Sequence, residues 1–230
     1  MKHWAVLTIG LYVVLLVLVT APLVVVGTLP EEPTRSEVAH VIAIMLSWPY
    51  WLTVIILTLA QALLLVVPVK AAGEIEIRPR HILAPILAGA LAMGLLAAFT
   101  LWSVIVAIRG DEAGGFAASA VVAVLLAAWV FWFFVFRSFA RSGDEPGGVI
   151  TRITRTLHTG STLELLVAVA CHIVVRRRGD CSAPIVTSYA MAAGIAVMFL
   201  SFGPGVFYLF AMRARRMVSK KRREQSGLHG

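Results

Sequence analysis

The residues that could do chemistry gather in one stretch of the chain, from His158 to Cys181. This stretch holds both cysteines, two of the six histidines and a run of three arginines, and Glu164 lies just inside its apolar part. Carboxylate, imidazole and thiol groups are the ones that exchange protons and bind metal ions. We therefore expect any functional site of this chain to involve this stretch.

The three arginines, Arg176, Arg177 and Arg178, allow two interpretations. They could pair with acidic residues of the same membrane face, or reach towards the interface and so lengthen a short helix. Alternatively, they could line a pocket for an anion, a lipid phosphate or a carboxylate, which arginine binds through two parallel hydrogen bonds. In that second interpretation, His172 and Glu164 complete the ligand-binding set.

Glu164 also has two interpretations. An ionisable group within an apolar span indicates a functional site. However, Ser161-Thr162-Leu163-Glu164 matches a capping box, in which the first and fourth residues satisfy each other's backbone donors at the start of a helix. This pattern predicts that the helix starts at Ser161 and that Glu164 has a structural role there.

A third possibility is a metal site formed by Cys171, His172 and Cys181. The turn expected at Gly179 could bring Cys181 back towards Cys171, and three such ligands could hold copper or zinc. The same approach could instead form a disulfide, or the residues could be ordinary packing and loop positions. The spacing matches no metal-binding motif.

His158 and His172 are fourteen residues apart, which on a continuous helix places them on one side and about 21 Å apart. This spacing resembles that of the bis-histidine helices of b-type cytochromes, which implies haem as a cofactor. His40 and His81 could then supply the remaining axial ligands. In that family the ligands come in pairs from two helices, whereas His40 and His81 lie on different runs, and the capping box places His158 in a loop.

The composition is that of a membrane protein. Apolar residues make up 60% and charged residues 14% of the chain, and the mean hydropathy is +0.90. A soluble domain has about 25% charged residues. The net charge of +8 is explained by basic residues at the ends of membrane helices and by attraction to anionic lipid, so we expect no nucleic-acid partner.

Six apolar runs predict an all-α bundle of six transmembrane helices in a single membrane-embedded unit. The runs cover about 4–27, 40–69, 81–108, 116–136, 161–178 and 183–212. The fifth span is short, because its apolar part rises only about 21 Å at 1.5 Å per residue. A basic tail, 213–230, follows and is expected to contact anionic lipid through seven residues: Arg213, Arg215, Arg216, Lys220, Lys221, Arg222 and Arg223.

Several positions within these runs predict local features. Pro49 could kink the long second span, and Gly203-Pro204-Gly205 could break the sixth. The third run is rich in small residues, which let helix backbones approach closely in lipid, and this predicts a central packing helix. Residues 150–157 are amphipathic and could form a short surface helix in the loop before the fifth span.

The distribution of Lys and Arg predicts the orientation. With six spans and both termini in the cytoplasm, fifteen of the 20 basic residues are cytoplasmic and five lie outside. If the fifth run did not cross, the division would be eleven against nine. Since basic residues favour the cytoplasmic side, six spans with cytoplasmic termini are predicted, in the cytoplasmic (inner) membrane.

No catalytic motif is recognisable, so we expect a protein that is not an enzyme. The expected function is to bind, transport or assemble around a ligand at the outer end of the fifth and sixth spans. One alternative is a redox, metal or haem protein that uses Cys171, His172 and Cys181. Another is a structural subunit that assembles with other membrane subunits.

Overall fold

The computed structural model consists of helices and short connections, with no strand in the residues that it describes. These are residues 2–28, 35, 38–39, 42–43, 48–72, 80–110, 114–141, 146–180 and 183–203. Six long helices are present: α1 (Lys2–Thr28), α2 (Trp48–Ala72), α3 (Arg80–Arg109), α4 (Gly114–Arg141), α5 (Pro146–Arg178) and α6 (Ala183–Gly203). By length and composition five of them can cross a membrane, and α2 contains a shorter apolar segment, Tyr50–Leu65. The fold is consistent with a multi-pass membrane protein.

Helix α5 differs most from the sequence prediction. It is one continuous helix of 33 residues from Pro146 to Arg178, not a short span that starts at Ser161. The capping-box interpretation was wrong, because the Ser161 hydroxyl donates to the His158 carbonyl, 2.9 Å away, within the helix. The amphipathic residues 150–157 are the first turns of this helix and not a separate surface helix. Consequently, His158 and His172 lie on the same helix.

Helix α2 begins at Trp48, so Pro49 lies in its first turn. A proline is tolerated there, because the first N–H groups of a helix have no partner within it. Pro49 therefore lies at the start of α2, and most of the predicted run before Trp48 lies outside the described residues. His40 itself is outside the described residues.

Helix α3 is the central helix of the bundle and contacts α2, α4 and α5. Its glycines face these neighbours. A Cβ on Gly89 would lie 2.8 Å from Ile153 Cγ2 on α5, and one on Gly94 would lie 3.1 Å from the Leu125 backbone oxygen on α4. Neither glycine leaves space for a side chain, so the prediction of a central packing helix from its small residues is confirmed.

Helix α4 lies at the outside of the bundle and packs mainly on α3. Among its described side chains Phe136 is the only fully buried one, and it fills the space next to Gly89. The large apolar residues on the opposite side are exposed, including Leu126, Val130 and Phe134. This is the pattern of a helix with one face against protein and the other against lipid.

Most threonine hydroxyls in the helices bond to their own helix. Each donates to a carbonyl one turn earlier, as found for Thr20, Thr58, Thr100, Thr156, Thr159 and Thr162. Hydrogen bonds between helices are few. Tyr12 on α1 donates to the Ala196 carbonyl on α6 over 3.2 Å, and Thr20 on α1 shares a 3.0 Å bond with Tyr50 on α2. Apolar packing therefore forms most of the interior.

Helices α5 and α6 form an antiparallel pair. At the end of α5, Gly179 has a φ of +72°, a left-handed conformation that glycine adopts without strain, and its N–H donates to the Arg176 carbonyl over 3.2 Å. We call the end of the bundle that holds Arg178 the top, and the end that holds Gly148 the bottom. Helix α5 then rises to the top, and α6 descends from Ala183 to Gly203.

Candidate functional site

The seam between α5 and α6 brings the ionisable residues of the 158–182 stretch into the bundle. Three contacts mark it from bottom to top: His158 with Phe202, Glu164 with Gly194, and His172 with Thr187. From the bottom to the top of α5 the residue numbers increase, whereas those of the partners on α6 decrease, as expected for antiparallel helices. Glu164 is therefore about 9 Å above His158 and about 12 Å below His172 along the helix.

The buried side of α5 follows a regular spacing of three and four residues. Leu157, Ser161, Glu164, Ala168 and Cys171 are all buried on this side. Such spacing places residues on one face of a helix. Glu164 therefore points into the bundle and not towards lipid.

Glu164 is the most unusual side chain of the interior. Its exposed fraction is 2%, and within the part of the chain that the structure describes neither carboxylate oxygen has a hydrogen-bond partner. It lies near the middle of the Gly148–Arg178 span and packs so closely on α6 that a Cβ at Gly194 would collide with its Oε2 atom. An isolated carboxylate in such a place is costly and calls for a bound cation or proton.

Above Glu164 lies a layer of polar residues. Its level follows from a buried cluster at the top of the bundle formed by Val106 on α3, Val175 on α5 and Ala183 on α6. One turn below that cluster lie Ser103, His172 and Thr187, followed by Ser188. Ser103 and Ser188 are fully buried, and their hydroxyls have no hydrogen-bond partner among the described residues. We call Ser103, His172, Thr187 and Ser188 the upper polar layer.

His172 forms a hydrogen bond across the seam with Thr187 on α6. His172 Nδ1 lies 2.8 Å from Thr187 Oγ1, and the same hydroxyl oxygen lies 3.3 Å and 3.2 Å from the carbonyls of Ala183 and Pro184. A hydroxyl has one proton, and a carbonyl can only accept. Thr187 therefore joins His172 to the first turn of α6, and its single proton goes either to a carbonyl or to His172 Nδ1.

Below Glu164 lies a second polar layer, formed by His158 and Gln61. The His158 ring meets Phe202 edge to face, with ring centroids 5.0 Å apart, and its buried Nδ1 has no partner within the described ranges. Gln61 on α2 is fully buried with both amide atoms unpaired among those residues, and a Cβ at Gly203 would collide with its Nε2 atom. Because Phe202 and Gly203 are adjacent, His158 and Gln61 lie at one level. We call them the lower polar layer.

An apolar cluster separates Glu164 from the upper polar layer. It consists of the buried residues Ala168, Ala190 and Met191, with Phe99 and Leu165 packed against it. Two of the three buried members are alanines, and the larger Met191, Phe99 and Leu165 complete the apolar packing. The polar groups of the seam thus form three levels, and a thin apolar segment lies between the upper two.

Arg176, Arg177 and Arg178 lie in the last turn of α5, at the top of the bundle. Arg178 donates to the Val106 carbonyl over 3.0 Å and forms a 2.9 Å ion pair with Asp180. It therefore ties α5 to the last turn of α3, as expected for pairing with an acid of the same face. Arg176 and Arg177 are exposed, and an anion-binding role for them stays a prediction.

The predicted metal and haem sites are only partly within the described residues. Cys171 is buried on the seam, Cys181 and His40 lie outside the described residues, and His81 belongs to the first turn of α3. Among the residues that the structure does describe, no three His, Cys, Asp or Glu side chains come together as metal ligands. The lipid-binding tail, 213–230, and the predicted break at Pro204 also lie outside the described residues.

Sequence reasoning missed Gln61, Ser103 and Ser188. Gln61 could have been found, since it is the one amide in the apolar run of α2. Ser103 and Ser188 could not, because serine is common in membrane helices and only the helix register shows that they share a level with His172. The chain matches no protein-family model, no curated protein and no solved structure.

Proposed function

We propose that this protein is not an enzyme but a multi-pass protein of the cytoplasmic membrane that binds and moves a small cation. The path follows the seam between α5 and α6, and Glu164 is the binding group. Six spans with both termini in the cytoplasm place the upper polar layer towards the outside. This proposal moves the expected site from the outer arginines to the middle of the seam.

The single observation behind the proposal is the isolation of Glu164. Removing a carboxylate from water costs several kcal/mol even after relaxation of the protein, unless a partner compensates. The arginines of α5 offer no such partner, since they lie in its first turns, at Arg152 and Arg155, and in its last turn. A position of this cost in the middle of a span is typical of an ion or proton pathway.

A hydrophobic carbodiimide tests whether Glu164 is an exchangeable site. N,N′-dicyclohexylcarbodiimide should modify the detergent-purified full chain once, on the peptide that contains Glu164, as measured by mass spectrometry. The adduct should be absent from Glu164→Gln, because the amide does not react. Sodium, potassium and ammonium at fixed pH, and pH at fixed salt, are then varied to find what alters the labelling.

The matched control is Asp180, a carboxylate at the top of the bundle that pairs with Arg178. A water-soluble carbodiimide should modify Asp180 more readily than Glu164. A Glu164 that stays unmodified under all conditions, or whose modification no cation and no pH change affects, would show a sealed structural group and contradict the proposal.

The orientation has its own test at Cys181, between α5 and α6. In a Cys171→Ala background Cys181 is the only cysteine, since the chain has two. A membrane-impermeant maleimide added to intact cells should label it, because six spans with cytoplasmic termini place this connection outside. Labelling that requires permeabilised cells would reverse the orientation. A cysteine added after Gly230 is the control and should react only after permeabilisation.

A further inference from the structure

We propose that the cation carried along the seam is the proton. It passes from the upper polar layer to Glu164 and on to His158 of the lower polar layer. This inference rests on the proposed function, because it names the species that occupies Glu164.

The space between Glu164 and Gly194 is too small for a larger cation. Its Oε2 atom is so close to Gly194 that even a methyl group would not fit between them, and Leu165 lies against the same glycine. Metal cations such as Ca²⁺ or Mg²⁺ are held by about six or more oxygen ligands. No group of three His, Cys, Asp or Glu ligands lies in the described part of the chain, and Glu164 is the only carboxylate among the described residues of its span. A proton needs neither a cavity nor a shell of ligands.

Buried polar atoms that lack a hydrogen-bond partner lie along the same path. Over the ranges that the structure covers, buried side-chain atoms without a hydrogen-bond partner occur in five residues: Gln61, Ser103, His158, Glu164 and Ser188. All five lie in the three levels described above, and none is scattered elsewhere. An unsatisfied buried group costs about 1–3 kcal/mol, so their alignment indicates groups that bond to a species passing between them.

The chemistry of each level suits a proton. The ring nitrogen of neutral His172 that has the lone pair accepts a proton from the upper side. The resulting imidazolium releases the proton of its other ring nitrogen towards the Glu164 carboxylate, so that His172 and Glu164 are both neutral. Glu164 then protonates His158 at Nδ1, and His158 releases a proton from Nε2 towards the bottom. Rotation of the two imidazole rings restores their starting tautomers, so that one proton and one positive charge have crossed. A pH or voltage difference supplies the driving force.

The gaps between the levels are short enough for hydrogen-bonded bridges. Ser161 lies between His158 and Glu164 on the same face of α5, and its hydroxyl already bonds to the His158 carbonyl. The gap of about 12 Å from Glu164 to His172 is closed by Ala168, Ala190 and Met191. Proton transfer across it requires on the order of three water molecules at hydrogen-bond spacing to enter between these side chains.

Other titratable groups around Glu164 are few. In the described parts of the helices packed around it, α6 offers Tyr189, α2 offers Tyr50, α1 offers Tyr12, and α3 has none between residues 82 and 108. Cys171 is the remaining one on the buried face of α5. No basic side chain of these helices lies at the level of Glu164, so Glu164 is the group that must take up the proton.

Proton flux in liposomes tests the inference. The full chain is reconstituted in phosphatidylcholine and phosphatidylglycerol vesicles that contain a pH-sensitive dye, and a potassium diffusion potential is applied with valinomycin. The protein should speed the internal pH change well above that of protein-free vesicles. Glu164→Gln should reduce the rate to the leak of protein-free vesicles, and His172→Gln and His158→Gln should each slow it severalfold.

The controls separate flux from folding. Asp180→Asn removes a carboxylate at the top of the bundle and should conduct like the original protein, and Glu164→Asp should keep part of the flux. Each variant must elute as the original protein does in size-exclusion chromatography.

A rate of pH change equal to that of protein-free vesicles, or full proton conduction by Glu164→Gln, overturns the inference. If carbodiimide labelling of Glu164 responds to sodium while no proton flux occurs, the site stands and the proton is the wrong cation. If Glu164 neither reacts nor supports flux, the proposed function fails as well.

Discussion

Gly194→Ala is expected to destabilise the folded protein by about 1–3 kcal/mol, the usual cost of forcing an added group into a filled interior. The reason is specific, since the new Cβ would occupy the position of the Glu164 carboxylate and press on Leu165. Thermal unfolding in detergent, followed by circular dichroism, measures the loss. Glu164→Ala opens this space, so Gly194→Ala should cost much less in that background.

Gly10→Ala is the matched control. Gly10 lies in α1, and a Cβ there would meet no atom within 4 Å. The same substitution should then stabilise the helix by about 0.5–1 kcal/mol, because alanine loses less backbone entropy than glycine. Equal effects of the two substitutions would mean that Glu164 does not pack on Gly194 as described.

The second large effect is expected at Phe136. This side chain of α4 has an exposed fraction of 0%. It packs against Gly89 of α3 and against the rings of Trp132 and Phe139 on its own helix. Phe136→Ala should therefore cost about 3–5 kcal/mol through lost contacts and the cavity that remains. Thermal or denaturant unfolding of the purified protein gives the difference.

Phe134 provides the comparison on the same helix. It is 63% exposed on the face of α4 that points away from the bundle, so Phe134→Ala removes the same group without opening an internal cavity. Its effect on unfolding should be small. Similar losses for both variants would indicate that the outward face of α4 is covered by protein, for example by a second copy of the chain.

Each of the six apolar runs in the sequence overlaps one long helix in the part of the chain that the structure describes. Long apolar runs need backbone hydrogen bonds within each segment, so each run forms a helix whatever packs against it. The packing role of α3 was equally accessible, because small residues such as Gly89 and Gly94 have few other uses in a membrane helix. Each of these predictions uses the sequence of a single helix and needs no knowledge of its neighbours.

The start of α5 was predicted wrongly, for a physical reason. The pattern Ser161 to Glu164 is the same whether it caps a helix or lies inside one, since a serine hydroxyl can bond either to a later N–H or to an earlier carbonyl. Here it bonds to the carbonyl of His158. The length of a helix is then decided by its neighbours, and the first turns of α5 are held by Ile153 against α3.

The polar levels could not be predicted, because they depend on the relative height of separate helices. The sequence shows His158, Glu164 and His172 on one segment, but Ser103 and Gln61 belong to others. Their levels follow only from contacts such as those of Val106 with Val175, and of Gln61 with Gly203. The sequence pattern of one helix does not show how far that helix is shifted along the bundle relative to its neighbours.

The threonine hydroxyls that bond to carbonyls of their own helix have a consequence for membrane insertion. Thr20, Thr58 and Thr100 already bond to their own helices, so α1, α2 and α3 can leave the translocon and enter the bilayer singly. Helix α5 is the least apolar of the five candidate spans and contains Glu164, and an acidic residue at the centre of a span adds about 3 kcal/mol to insertion. We therefore expect α5 to be retained at the translocon until α6 has been synthesised. The left-handed turn at Gly179 would then let the two enter the membrane together as a helical hairpin, with Gly194 already against the glutamate.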